Sequence, residues 1–220
     1  MSLEPASSPD RLYLAVGEDV NPSRPLFTGD VFERLDIPGV GETAGILVGH
    51  PCSIRGRAGS LQRSLPIAAV ESHDVVPDEK WSTGYLNRMA LPGLPLDHGF
   101  HVVRLDLFGL VATATVMAAT RVACLSHPGI NQLQQRLVFH QTRLEVPTGQ
   151  FQAAFDHTYE EADLLEEWVT DLDGDEASLL SDFETWIRDG DPSRQDRLKV
   201  PQERAPLRRE MRAEIRRRTN

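Results

Sequence analysis

The chain has 220 residues, 40% hydrophobic and 25% charged, a composition that supports a sizeable core and excludes a wholly disordered protein. Its formal net charge of -10 argues against nucleic-acid binding over the whole surface and leaves only a local basic patch for that role. Two cysteines are too few for a disulfide framework, and residues 1–10 lack the basic and apolar regions of a signal peptide, so a reducing cytoplasm is the expected compartment.

In chain order, an N-terminal arm over residues 1–27 carries one short strand-like run at 11–16, closed by Gly17 and a Pro-rich link at 21–25. Residues 28–150 then read as a small curled all-β barrel. Its expected strands cover 31–35, 45–48, 65–70, 101–108 and 113–122, separated by Gly and Pro turn signals. Residues 76–99 read as an irregular insertion carrying Trp81 and Tyr85. The run 105–119 is broken by Asp106, Gly109 and two Thr, so no membrane span is expected.

After His127-Pro128-Gly129 the period changes. Ile130, Leu133, Leu137, Val138 and Leu144 approximate a helical face, although 137–146 also fits a strand. An acidic helical extension over 151–191 follows. Thr158 and Glu161 stand at capping-box spacing before Ala162, Leu165, Trp168 and Val169, and a further helix covers about 175–188. Between Asp156 and Asp191 lie fourteen carboxylates and one Arg, whereas 207–220 holds six Arg and two Glu. Residues 192–206 read as a Pro-punctuated linker to an Arg-rich arm, with Leu207, Met211 and Ile215 on one helical face. The acidic helices are a solvated face, or a docking surface for a basic protein partner or for the chain's own arm.

Several chemistries compete for the polar residues. His50, Cys52, Cys124 and His127 have the ligand set of a closed tetrahedral zinc site, against the plainer reading of cysteines buried at strand ends. Cys52 paired with His50 or His127, with Arg55 and Arg57 favouring thiolate, is a nucleophile candidate without any protease signature around it. Asp171, Asp173 and Asp175 begin like a calcium loop, but Glu176 stands where Gly is needed, and acids capping the next helix explain them equally. Arg55, Arg57 and Arg63 gather guanidiniums suited to phosphate, or to an ordinary solvated hairpin loop.

Gly29-Asp30-Val31-Phe32, Gly45-Ile46-Leu47-Val48 and 65–72, ending in Glu71-Ser72, resemble the first three strands of the PemK/MazF family of toxin-like endoribonucleases. The resemblance covers about residues 28–145. It implies an SH3-like barrel that cuts single-stranded RNA by 2′-hydroxyl transesterification with no metal or other cofactor, and a tendency to homodimerise. The family's basic residue ahead of Pro is replaced here by Thr43-Ala44, while Ser72 matches the Ser or Thr ending the third strand. The resemblance therefore assigns Arg55, Arg57, Glu71, Ser72 and His73 as candidate catalytic residues and Arg55, Arg57 and Arg63 as RNA contacts. The rival reading is a non-catalytic adaptor for a protein partner.

Overall fold

The computed structural model describes all residues except 1, 2, 6, 56–59, 98 and 220, and all described side chains except that of Cys52. Arg57 therefore lies outside the described residues. The chain divides into two units: residues 1–22, 26–54 and 62–154 form the first, and residues 23–25, 55–61 and 155–220 the second.

In the first unit, α1 (Pro9–Leu12) leads into β1 (Tyr13–Val16), and β2 (Asp30–Ile37) and β3 (Gly41–Leu47) form a hairpin. Gly39 and Gly41 turn this hairpin at φ +82° and +105°, values an L side chain adopts only under strain. The short α2 (Pro51–Ile54) precedes β4 (Ser64–His73), which pairs with β3. Next come α3 (Asp78–Trp81), β5 (Arg88–Leu91), β6 (Phe100–Ala112), α4 (Thr113–Ala118), β7 (Arg121–Leu125) and α5 (His127–Thr142).

The strands form one antiparallel sheet in the order β1-β7-β2-β3-β4-β6-β5. The sheet is open, with β1 and β5 as its edges, so the expected closed barrel is not what these strands form, and the chain is mixed α and β rather than mainly β. Val31, Leu35, Ile37, Ile46, Ile67, Val70, Met89, Val103, Leu105 and Leu125 supply its buried apolar residues.

Two expectations for this unit are corrected. Residues 113–122 are not one strand: Thr113 and Thr115 mimic alternation, but the Ala-rich stretch forms α4 on buried Val116, and only the five residues of β7 enter the sheet. The 76–99 segment is not irregular, since it contributes α3 and the edge strand β5. Trp81, Val76, Ala90 and Val102 make a satellite core there, with Tyr85 and Phe100 packed against it.

Helix α5 holds over the whole of the ambiguous stretch to Thr142. Ser126 caps it by accepting from Gly129 N–H at 3.2 Å, and Arg143 ends it in the left-handed conformation at φ 63°.

Helix α6 (Thr148–Asp171) begins ten residues before the expected cap, so Thr158 is interior. Pro147 is the start signal the capping-box pattern concealed. In the second unit, α7 (Glu176–Arg188) follows, capped by Asp175 accepting from Ser178 N–H at 3.0 Å. This is the capping role, not the calcium role, of that acidic run. The expected linker is instead α8 (Arg194–Leu198) and the start of α9 (Pro201–Thr219). Pro201 sits at the helix N-terminus, where no N–H is needed, and Pro206 is accommodated inside the helix.

Leu207, Met211 and Ile215 of α9 are buried in one cluster with Leu164, Trp168, Leu179, Phe183, Trp186, Ile187 and Leu198. The arginines of α9 meet the acids of α6: Arg204 bonds Asp156, Arg208 reaches Glu160 at 3.1 Å and Glu167 at 3.3 Å, and Arg212 bonds Glu167. The segregated charges are thus paired with each other inside this unit. No described helix is long and apolar enough to cross a membrane.

Candidate functional site

The end of β4 carries Glu71, Ser72 and His73, three candidates in a row, and strand geometry separates them. Successive side chains point to opposite faces, so Glu71 and His73 share one face while Ser72 lies on the other, opposite His101 of β6. Glu71 and His73 instead meet residues that β5, β6 and the 82–87 turn bring to their face.

Arg104 of β6 is the hub of the first group. Its Nη1 donates to Glu71 Oε1 at 2.7 Å, and Nε and Nη2 grip both oxygens of Asp106 at 2.9 and 2.8 Å. Asn87 Nδ2 adds a bond to Asp106 Oδ2 at 2.9 Å. The fork on Asp106, then the bond to Glu71, raises the Arg104 pKa, and the same fork holds the Asp106 carboxyl far below the usual carboxylate range.

Arg88 and His73 form the second group. His73 Nδ1–H donates to the Asp74 carbonyl at 2.7 Å, which assigns Nε2 as the acceptor for Arg88 Nη1 at 3.0 Å. Tyr85 completes the group: its ring meets the His73 ring edge-on at 5.6 Å, and the Arg88 guanidinium carbon stands 5.9 Å from its centroid. The Tyr85 backbone is left-handed at φ 51°, an uncommon conformation for a bulky residue, with the Arg88 N–H bonded to its carbonyl at 2.9 Å. Trp81 packs on the Tyr85 ring at a centroid distance of 5.1 Å.

A neutral imidazole, a guanidinium bonded to it and an aromatic face therefore converge on a half-buried surface. This set can bind a phosphate through Arg88, present a ring for stacking, and take a proton at Nε2 once Arg88 is engaged elsewhere. Tyr85, Arg88, Arg104 and Asp106 have no local motif. The signal for them was the register of β6 against β4 and of β5 against β6, which sequence spacing does not fix.

The other candidates fall elsewhere. Arg55 belongs to the second unit, where it bridges to Leu61 and its charge helps to stabilise ionised Glu161, whose pKa burial nevertheless raises. Arg63 is exposed before β4, its carbonyl accepting from Thr113 N–H at 3.1 Å. His50 is half-buried ahead of α2 and its pKa is lowered by burial. Cys124 is buried in β7 opposite Ala15 and Asp30, and His127 begins α5. Among the described residues, no three His, Cys, Asp or Glu side chains gather as a metal site needs, so His50, Cys124 and His127 form no such group. The Cys52 side chain lies outside the described set. The chain matches no protein-family model and no curated protein.

Proposed function

We propose that the first unit binds and cleaves single-stranded RNA without a metal, as PemK/MazF-like endoribonucleases do, at His73, Arg88, Tyr85 and Glu71 rather than at Arg55. The observation that carries this reading is the 3.0 Å contact of Arg88 Nη1 with His73 Nε2 beside the Tyr85 ring. A phosphodiester that takes over Arg88 frees the Nε2 lone pair. His73 then accepts the 2′-hydroxyl proton, O2′ bonds to phosphorus, and the bond from phosphorus to the 5′ oxygen breaks, that oxygen taking a proton from water. Arg88 balances the charge on the phosphorane, and Tyr85 stacks a base. On the fold side, β2, β3 and β4 stand for the family's first three strands. The pairing register shifts at Phe32/Leu35 in β2 and at Ala68/Ala69 in β4, irregularities of the bulge kind that are compatible with curvature in an open sheet.

The test is incubation of the purified chain with mixed single-stranded RNA in EDTA. Products ending in 2′,3′-cyclic phosphate, reduced roughly a hundredfold or more by His73→Ala and by Arg88→Ala, support the reading. Uncut RNA sinks it.

A second reading, a non-catalytic adaptor, is favoured by Phe108 and Leu110. These are 53% and 63% exposed at alternate positions of β6. A partner recovered with the chain and lost on Phe108→Ser and Leu110→Ser supports it, and a partner unaffected by those changes counts against it.

A further inference from the structure

Arg136 of α5 is a cation enclosed inside the fold. Its side chain is 1% exposed, burial pushes its pKa down to about 10, and among the described residues no carboxylate pairs with it. It remains charged at neutral pH, and a buried charge held only by neutral groups is destabilising compared with an apolar side chain of similar size. Its neighbours on the helix are also polar and buried, namely Asn131, Gln132, Gln134 and Gln135, but each of those is neutral.

Its partners are three backbone carbonyls from two distant stretches of chain. Nη2 donates to Glu4 O at 2.7 Å and to Trp81 O at 3.0 Å, and Nη1 donates to Arg88 O at 3.2 Å. The guanidinium carbon also stands 5.5 Å from the Trp81 ring centroid. Trp81 and Arg88 are the two ends of the turn that holds Tyr85 in its left-handed conformation. The Trp81 ring in turn packs on Tyr85, which faces both His73 and Arg88.

We infer that Arg136 is a positioning residue: from inside the fold it fixes both ends of the 81–88 turn, and so sets the Arg88 guanidinium and the Tyr85 ring against His73. The functional half of this inference rests on the RNA-cleaving reading of that site, whereas the geometric half does not. A planar fork suits the task because it aims donors at several carbonyls at once, which a single ammonium does with less directional control.

The experiment uses the full chain with Arg136→Met, which keeps bulk and removes the donors, and Arg136→Lys, which keeps charge. Three readings are taken on each: far-UV circular dichroism for folding, the 15N spectrum of the His73 imidazole for its tautomer and the Arg88 bond at Nε2, and RNA cleavage in EDTA. Positioning predicts a folded Arg136→Met variant whose His73 signals move toward tautomer averaging and whose cleavage falls roughly tenfold to a hundredfold. Arg136→Lys is expected to lie between Met and wild type in both. A folded Arg136→Met protein with a wild-type His73 spectrum overturns the inference. So does loss of folding in both variants, which makes Arg136 a stability residue alone. If Arg136→Met alone fails to fold, the His73 spectrum of Arg136→Lys decides, a wild-type spectrum overturning the inference. Should wild type leave RNA uncut while the His73 spectrum still responds to Arg136→Met, the cleavage reading fails and the positioning stands.

Discussion

Arg218 of α9 pairs with Asp182 of α7 at 2.7 Å while its guanidinium carbon stands 4.8 Å from the Trp168 ring centroid of α6. One side chain thus ties the last helix to two others, by charge to one and by an aromatic face to the other. The ion pair is partly exposed and contributes little, so the aromatic contact carries most of the effect. Arg218→Ala is expected to lower the stability of the second unit by about 1 kcal/mol. Urea unfolding followed by tryptophan fluorescence measures this. Arg217→Ala, which removes a pair to Glu214 on the same helix, should leave the transition where it is.

The attachment of α9 is expected to be apolar first and ionic second. Met211 is fully buried, and Met211→Ala should cost about 2–5 kcal/mol through the cavity it leaves. Raising salt to about 1 M, where screening acts within about 3 Å, should weaken the Arg208 and Arg212 pairs without releasing the helix. Circular dichroism under both conditions separates the contributions: a loss of helix in high salt alone would mean that the ion pairs hold α9 in place.

Acid should weaken the first unit through His101. Burial lowers its pKa, with Asp97 opposing, so the folded chain holds the ring neutral over a range where the unfolded chain protonates it. Stability from this source is complete above the unfolded value of about 6.5 and falls as pH drops through the folded one. Thermal melts from pH 8 to 5 should show the decline, and His101→Gln should flatten it. An unchanged slope in that variant would assign the decline to other groups.

Two glycines predict opposite outcomes for the same substitution. A Cβ on Gly129 would stand 2.3 Å from the Leu12 carbonyl oxygen, where backbone gives way only by shifting α5. Gly129→Ala should therefore destabilise by about 3 kcal/mol or more. Gly149, in the first turn of α6, has no atom within 4 Å of its built Cβ. Gly149→Ala should gain about 0.5 kcal/mol from helix propensity. Melting temperatures of the two variants check both signs.

The meander β2–β4 was legible because Gly and Pro punctuate runs long enough to show their period, and α7 was legible from Asp175 and its apolar stripe. Elements of four residues such as α3 and β5 carry too few positions for any period to emerge. Prolines misled at the end of the chain, since Pro201 starts a helix rather than ending one. Of the candidate site, Glu71 and His73 were nameable only through the resemblance, as neighbours of Ser72 at the end of its third strand. Arg88 and Arg104 were not, because they face His73 and Glu71 only through strand pairing across the 76–99 segment. Arg136 was the least legible, since a lone Arg among Gln and Asn reads as solvated surface, yet it is covered by the folded chain.

The strand order also has a consequence for how the molecule is made. β7 lies between β1 and β2, two strands that precede it by about a hundred residues of chain, and it is antiparallel to both. As the polypeptide emerges during synthesis, β2, β3 and β4 can pair as soon as His73 is out, but β1 has no neighbour until Leu125 follows. The edge of β2 therefore stays open through the intervening residues, a window in which pairing with another nascent chain competes with completion of the sheet.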